Sequence, residues 1–323
     1  MKAILCPKFG SPDVLILEEV ETPTPRENEV LVKIHASSLN SIDVEIMRGK
    51  MQPFMRKPRF PILGTDIAGK VHDIGSNVKQ FQKGDEVFGD TSTVRYGAFA
   101  EYVCVPEEKL RLKPESLTFE EAATIPQSAV AALQGLRNKK QILRFKPEQK
   151  VLINGAGGGM GSFAVQIAKY FGAEVTGVDN SDKLDMLRSI GADNVIDYTQ
   201  EDFTKSGKRY DLILDMQAHH SIFNYKRCLN PKGIYKVVGG SGKIILQVLF
   251  LGPFISLFGS KKMSIAVWRP NKEEDVSCIL ELIKNGKLIP VIDKQYPLNK
   301  IAEAFRYFEE GRHKGKIVII MEE

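Results

Sequence analysis

Val151-Leu152-Ile153-Asn154-Gly155-Ala156-Gly157-Gly158-Gly159-Met160-Gly161-Ser162 decides the fold of this 323-residue chain. An apolar run, a glycine-packed turn and a helically spaced apolar series (Phe163, Ile167, Ala168, Phe171) describe a strand, a tight loop and a helix. Glycines let backbone approach a pyrophosphate, and the helix N-terminus offers that anion unpaired N–H donors and a positive dipole end. Ala156-x-Gly158-x-x-Gly161 is the dinucleotide fingerprint with alanine in the first glycine position, so Ala156, Gly158, Gly159, Met160 and Gly161 are the expected pyrophosphate contacts. Such turns also join strands to helices with no ligand, and context must decide.

The context is a second strand, Glu174-Val175-Thr176-Gly177-Val178, ending at Asp179 about 20 residues beyond the loop, where a carboxylate can hold a ribose hydroxyl. Further strand candidates follow at Asn194–Asp197, Leu212–Asp215 and Gly233–Val238, with helix-like segments between them. This alternation is the pattern of a doubly wound parallel sheet in an α/β fold. At its far end Val238-Gly239-Gly240-Ser241 leaves a strand at the carboxyl edge, the expected place for the nicotinamide.

Length alone favours two domains over one core. Net charge is +5, mixed along the chain, with no basic block interleaved with aromatics, so we expect no nucleic-acid partner. Cys6, Cys104, Cys228 and Cys278 lie far apart and form neither a disulfide framework nor a structural zinc motif. Met1–Leu5 reads as a first strand rather than a signal peptide, and the expected location is cytoplasmic. The apolar stretch Ile244–Phe258 is short of the ~20 residues that span a bilayer and is broken by Gly252-Pro253. A buried helix or a wall of the substrate cavity is expected there, ahead of a subunit contact, with membrane association last.

Residues 1 to about 121 are strand-rich, with runs such as Val30–Ile34 and Ala68–Val71 punctuated by Pro23, Pro25, Pro61, Gly64, Gly69, Gly75 and Gly84. They suggest a β-barrel-like domain. The α/β half runs to about Val267; Glu273–Leu288 and Leu298–Gly311 then read as helices, and Lys316–Ile320 as a strand returning to the N-terminal domain. The expected domains are therefore 1–121 with 269–323, and 122–268, with the active site in the cleft between them.

Several motifs in order now resemble one family: Asn40-Ser41-Ile42-Asp43 with Arg48-Gly49; Pro61–Gly69; Val78-x-x-Phe81-x-x-Gly84-Asp85-Glu86-Val87; Gly97–Tyr102; the nucleotide loop; and Gly315-Lys316-Ile317-Val318. Nearly end to end, the chain resembles the zinc-independent quinone oxidoreductase group of the medium-chain dehydrogenase/reductase superfamily. The resemblance implies a GroES-like β-barrel catalytic domain, a Rossmann cofactor domain and a homodimer, with a monomer left open. In the zinc alcohol dehydrogenases of the superfamily a cysteine ligand stands where Asn40 stands here, and Gly-His-Glu where Gly64-Thr65-Asp66 stands. The second cysteine has no counterpart around Gln127-Ser128, and the four-cysteine lobe is missing between Gly84 and Tyr102. Asp66 alone cannot make the three-ligand set that catalytic zinc needs, so no zinc is expected. His219-His220 is not expected to be functional.

Without a Lewis acid, a saturated carbonyl leaves a developing alkoxide exposed, whereas quinones and α,β-unsaturated carbonyls delocalise the incoming charge. The expected substrate is a quinone, enone or enal. Asn40 is the first expected donor to substrate or nicotinamide, its bland alternative being a turn residue before a helix. Asp43 is expected to act there or to cap a helix or pair with Arg48. Tyr96 is a candidate ring-stacking or proton-donating residue, and Tyr102 is expected to pack; Glu45 stands where relatives carry a donor. For the cofactor, Asp179 favours NADH, while Ser181, Lys183 and Tyr198 match 2′-phosphate contacts of NADPH-dependent relatives. The balance falls to NADPH, because an aspartate can turn away but a missing cation cannot be replaced. Two alternatives stand beside the reductase: an alcohol dehydrogenase-type enzyme, and a low-turnover nucleotide-binding redox sensor or structural protein.

Overall fold

Val30, Val32, Ile34 and Ala36 recur at every second residue, which puts them on one face of an extended chain, and all four are buried. The strand they form is the spine of the N-terminal unit. The computed structural model describes residues 1–50, 55, 57–138, 141–142 and 149–321. It divides into two units, Met1–Val130 with Pro270–Leu280 and Pro290–Glu323, and Ala131–Arg269 with Glu281–Ile289.

The first unit opens with an antiparallel hairpin, β1 (Lys2–Leu5) and β2 (Ile16–Glu19). The spine strand β3 (Glu29–Ser38) leads into the short helix α1 (Ser41–Met47) and then β4 (Asp66–Ile74), β5 (Glu86–Asp90), β6 (Tyr102–Pro106), β7 (Leu110–Leu112) and helix α2 (Phe119–Ala123). β3 is bonded antiparallel to both β4 and β6, β4 to β5, and β5 to β7.

The chain continues through α3 (Val130–Gly135) and a two-residue pair, β8 (Arg137–Asn138) with β9 (Gln141–Ile142). The second unit then alternates β10 (Lys150–Asn154), α4 (Gly159–Tyr170), β11 (Glu174–Asp179), α5 (Leu184–Ser189), β12 (Asn194–Asp197), β13 (Tyr210–Asp215), α6 (Ile222–Arg227), β14 (Leu229–Val237), α7 (Gly242–Phe258) and β15 (Lys262–Ile265). All six long strands pair parallel in the order β12-β11-β10-β13-β14-β15. Parallel neighbours need crossover helices, and the order reverses between β10 and β13, which opens a crevice at their carboxyl ends. This is the Rossmann arrangement.

The chain ends with α8 (Glu273–Lys284), β16 (Ile292–Pro297), α9 (Ile301–Glu309) and β17 (Lys316–Ile320). β17 lies between β16 and β3, bonded antiparallel to Ala36–Ser38, so the sheet of the first unit reads β16-β17-β3-β4-β5-β7 with β6 also on β3. Ile317 and Ile319 join Val30, Ile34, Ile67, Phe99 and Phe305 in its core.

Two boundaries differ from those read off the sequence. The first unit runs to Val130 rather than 121, because Ile125, Ala129 and Val130 are buried and the Gln127 N–H donates to Asp66 at 3.0 Å. Glu281–Ile289 belongs to the second unit, where the Gln166 amide holds the Ile289 N–H and C=O at 2.8 and 2.9 Å. A larger correction concerns 244–258. The stretch is helical, but only Ile244, Val248 and Gly252 are buried. A Cβ on Gly252 would meet the Met263 carbonyl at 2.8 Å, so glycine there seats α7 on β15. The helix is apolar all round while the sheet covers one side of it, which is why the expected burial fails.

Candidate active site

β10 delivers the glycine loop at its carboxyl end. Gly155 sits at φ +80°, a conformation that favours glycine, and the N–H groups of Gly155 and Ala156 both donate to Val178 O, at 3.0 and 3.1 Å. A Cβ on Gly161 would lie 2.2 Å from Gly155 O, so the first turn of α4 rests directly on the loop. Gly158 is the N-cap, and a side chain there would meet nothing nearer than Gly155 O at 3.6 Å, which marks the open side. The first-turn N–H groups of Gly159, Met160 and Gly161 precede any helical acceptor, leaving donors and the dipole for an anion. This cradle fits a dinucleotide pyrophosphate.

At the end of β11, Asp179 turns into the loop. Its Oδ2 accepts the Gly157 N–H at 2.8 Å and its Oδ1 the Asn180 N–H at 3.0 Å, and Lys183 Nζ lies 3.2 Å from Oδ1. Both side chains are buried. The residues read as rival cofactor selectors are thus one ion pair. Ser181 opens the short turn that carries Lys183, and Tyr198, its ring exposed, donates its N–H to Asp179 O at 3.1 Å. All four gather where β11 and β12 end.

At the other end of the crevice the Val238 N–H donates to Asp215 O at 2.8 Å, and Gly240 adopts φ +116°. A Cβ on Gly240 would lie 2.2 Å from Ala218 N, so glycine allows two loops to be laced together, with the Ala218 N–H on Gly239 O and the Ser241 N–H on Ala218 O. Beneath them Asp215 accepts from Asn154 Nδ2 at 2.8 Å and Tyr235 OH at 2.9 Å, and burial pushes its carboxyl up. Sequence reasoning saw only a strand end there; an aspartate closing the apolar run Leu212–Leu214 was the available signal.

In the first unit Asn40 caps α1 and Asp43 Oδ2 accepts the Asn40 N–H at 2.9 Å, a capping-box contact. Asp43 is fully buried, and burial, with Asp66 nearby, pushes its carboxyl up to about 8. It does not pair with Arg48, whose guanidinium takes both oxygens of Glu309 at 2.7 Å. The Asn40 amide does not face outward as a free donor either. Its Nδ2 donates to Asp66 Oδ2 (2.8 Å) and Thr65 Oγ1 (3.1 Å), while its Oδ1 accepts from Lys316 Nζ (2.6 Å) and Ser128 Oγ (3.4 Å). Lys316 Nζ also donates to Leu39 O at 3.1 Å and lies 3.5 Å from Asp66 Oδ2, and Ser38 Oγ donates to that oxygen at 2.8 Å. Burial pushes the Asp66 carboxyl up and the Lys316 ammonium down, and their attraction opposes both shifts.

Tyr96 stands at φ +58°, unusual for a residue with a Cβ, edge-on to Phe60 at 5.9 Å. It is half-buried, and burial with Asp43 and Asp90 nearby keeps its phenol protonated past the usual range. Tyr102 packs edge-on to His72, and Glu45 is half-buried on α1. His219 and His220 lie side by side, His220 beside Asp202 at 3.5 Å. Among the described residues no group of three His, Cys, Asp or Glu side chains could hold a metal.

Comparison with known proteins matches residues 26–115 to the alcohol dehydrogenase GroES-like domain and 190–319 to a zinc-binding dehydrogenase family. The chain is 35% identical, over 99% of its length and 79% of the relative's, to a 2-methylene-furan-3-one reductase of Solanum lycopersicum. The chain belongs to the zinc-independent quinone oxidoreductase group of the medium-chain dehydrogenase/reductase superfamily. Another relative, 30% identical over 99% of this chain and 79% of its own, is the chloroplastic NADPH-dependent alkenal/one oxidoreductase of Arabidopsis thaliana. The structure of Escherichia coli quinone oxidoreductase complexed with NADPH overlays with TM-score 0.85 and 26% identity, covering 99% of this chain and 100% of that one. As a member of the quinone oxidoreductase group, the chain departs from the zinc dehydrogenases in sequence at the Asn40 and Thr65 positions. Asn40 Oδ1 accepts a hydrogen bond from the Lys316 ammonium, which also lies 3.5 Å from Asp66 Oδ2.

Proposed function

We propose that the chain reduces quinones or α,β-unsaturated carbonyls with a nicotinamide cofactor and without a metal. The observation that carries this reading is the buried Lys316 ammonium held by Leu39 O, Asn40 Oδ1 and Asp66 Oδ2, a cation seated at the residue where the zinc dehydrogenases carry a cysteine ligand. Conjugated acceptors suit such a site, since their charge is already spread when hydride arrives. A bound nicotinamide supplies the hydride. The chain's residues bind and orient: the Gly158–Gly161 donors hold pyrophosphate, and Val238–Gly240 line the nicotinamide end. NADPH is the preferred form in this reading, supported by the two NADPH-linked relatives and by Ser181, Lys183 and Tyr198 gathered around Asp179. Lys183 must then exchange Asp179 for the 2′-phosphate.

Tyr96 is our proton donor on geometric grounds, a half-buried phenol held at φ +58° and edge-on to Phe60. Asn40 and Asp43 act as positioning residues, fixing the Lys316–Asp66 pair and α1. A cytoplasmic location is also proposed, supported by four cysteines of which none forms a disulfide among the described residues.

The test is steady-state oxidation of NADPH and NADH by chelator-treated protein against ortho- and para-quinones, a 2-alkenal, an enone and a saturated aldehyde. Turnover of the conjugated acceptors alone, faster with NADPH, is expected. Turnover confined to the saturated aldehyde, lost on chelation and restored by zinc, would overturn the reading.

A further inference from the structure

The outer face of α7 is the largest feature that the reductase reading leaves unused. Leu246, Leu249, Phe250, Phe254, Leu257 and Phe258 fall on one side of the helix and are all exposed, Leu257 to 77% and Phe258 to 82%. Pro253 lies among them, and Leu246 and Phe250 with Leu251, Gln247 and Lys243 line a broad open hollow. Phe223, on the helix α6 whose Ile222 N–H donates to Gln247 Oε1, adds a further exposed ring. Soluble surfaces rarely carry a contiguous apolar face of this kind without something to cover it.

The charge of the surrounding sequence narrows what that is. Between Asp215 and Glu273 the chain has nine Lys or Arg and no Asp or Glu, which leaves −4 for the rest of a chain whose total is +5. The charge is therefore not evenly mixed along the sequence. Exposed Lys243 stands at the start of α7 and exposed Lys262 just past its end. Lys261 Nζ donates to Lys226 O at 2.7 Å, and exposed Arg227 follows on the same turn of α6. The apolar face is thus bracketed by cations at both ends.

We infer that α7 docks in the plane of an anionic lipid surface, its Leu and Phe side chains entering the acyl boundary while the exposed Lys243 and Lys262 meet headgroup charge. Spanning is a different matter, because no helix of the described residues is long and apolar enough to cross a membrane. Lying on the surface has no such length requirement, and so the shortness that placed membrane contact last does not bear on it. A second copy of the chain would bury the apolar residues equally well, but it offers no anionic counter-charge that the structure shows for Lys243 and Lys262. The inference is independent of the reductase assignment.

The experiment is co-sedimentation of the full chain with vesicles of phosphatidylcholine alone or mixed with phosphatidylglycerol, at low and high salt. Two variants accompany it: F250Q/L257Q/F258Q, and K243E/K262E. Sedimentation velocity and NADPH oxidation are recorded for each to certify fold and assembly. The expected result is binding to anionic vesicles about tenfold above neutral ones, reduced by salt, and reduced about tenfold in each variant with turnover unchanged. No vesicle binding, equal binding to both vesicle types, or a dimer that the first variant splits while vesicle binding is unaffected would each overturn it.

Discussion

A buried lysine and a buried aspartate 250 positions apart, Lys316 and Asp66, are the most consequential pair of side chains in the first unit. Removing one partner of such a pair strands the other without compensation, which costs about 3–5 kcal/mol. K316M should lose that much in chemical denaturation, and D66N/K316M should regain a large part of it. Asp43 gives a pH prediction. Its carboxyl is held near 8 in the folded protein and titrates near ~3.9 in an unfolded chain, so the native state binds more protons between those values. Stability from this group therefore declines as pH rises through that window, and D43N should flatten the decline in denaturation curves taken at about pH 5 and about pH 8. For Tyr96, an enolate product needs a proton more than a hydroquinone anion does. Y96F should lower kcat for enones about tenfold or more, with quinones less affected. Tyr96 was read from the sequence as a candidate proton donor and Asp43 as a helix cap, whereas the Lys316–Asp66 pair was not visible locally. A single sequence offers no means of pairing residue 66 with residue 316, and Asn40 was legible as a helix cap while its amide partners were not.

Among the elements, β10, the glycine loop and α4 were fully legible, because the turn needs residues that tolerate positive φ and close approach, and only glycine supplies both. The strand run after it was legible for a related reason: strands buried on both faces read as continuous apolar stretches. The environment of α7 was not legible. A helix that is apolar all round has no pattern to say which side is covered, and coverage here is decided by β15. The turn proposed to select the cofactor was half legible, since Asp179 and Lys183 were recognised but as competitors rather than as an ion pair. Their ion pair predicts that D179N, which still offers an oxygen to the Gly157 N–H, frees Lys183 and lowers KM for NADPH while raising it for NADH. Initial-rate measurements with both cofactors decide it; equal KM shifts for the two would count against the pair as a selector.

In the molecule as a whole, each unit has its own core, and the two differ in how the chain supplies them. The second unit is built almost entirely from one continuous stretch, the first from three. Domain number and the return of the last strand could be read from length and from Lys316–Ile320. The transfer of Glu281–Ile289 could not, because it depends on Gln166 capturing one backbone residue. Deleting residues 316–320 should leave β3 and β16 without their shared neighbour and unfold the first unit, while limited proteolysis returns a protected fragment from the second.

β17 also has a bearing on how the protein is born. A ribosome releases residues in order, so Asp66 and Asn40 leave the exit tunnel long before the lysine that completes them. Residues 131–269 can gather their parallel sheet during synthesis, while the earlier-made half waits with a gap between two strands and an aspartate lacking its counter-charge. The order of maturation thus runs opposite to the order of translation for the first unit. A nascent chain halted before residue 316 presents an open sheet edge to whatever chaperone or protease meets it.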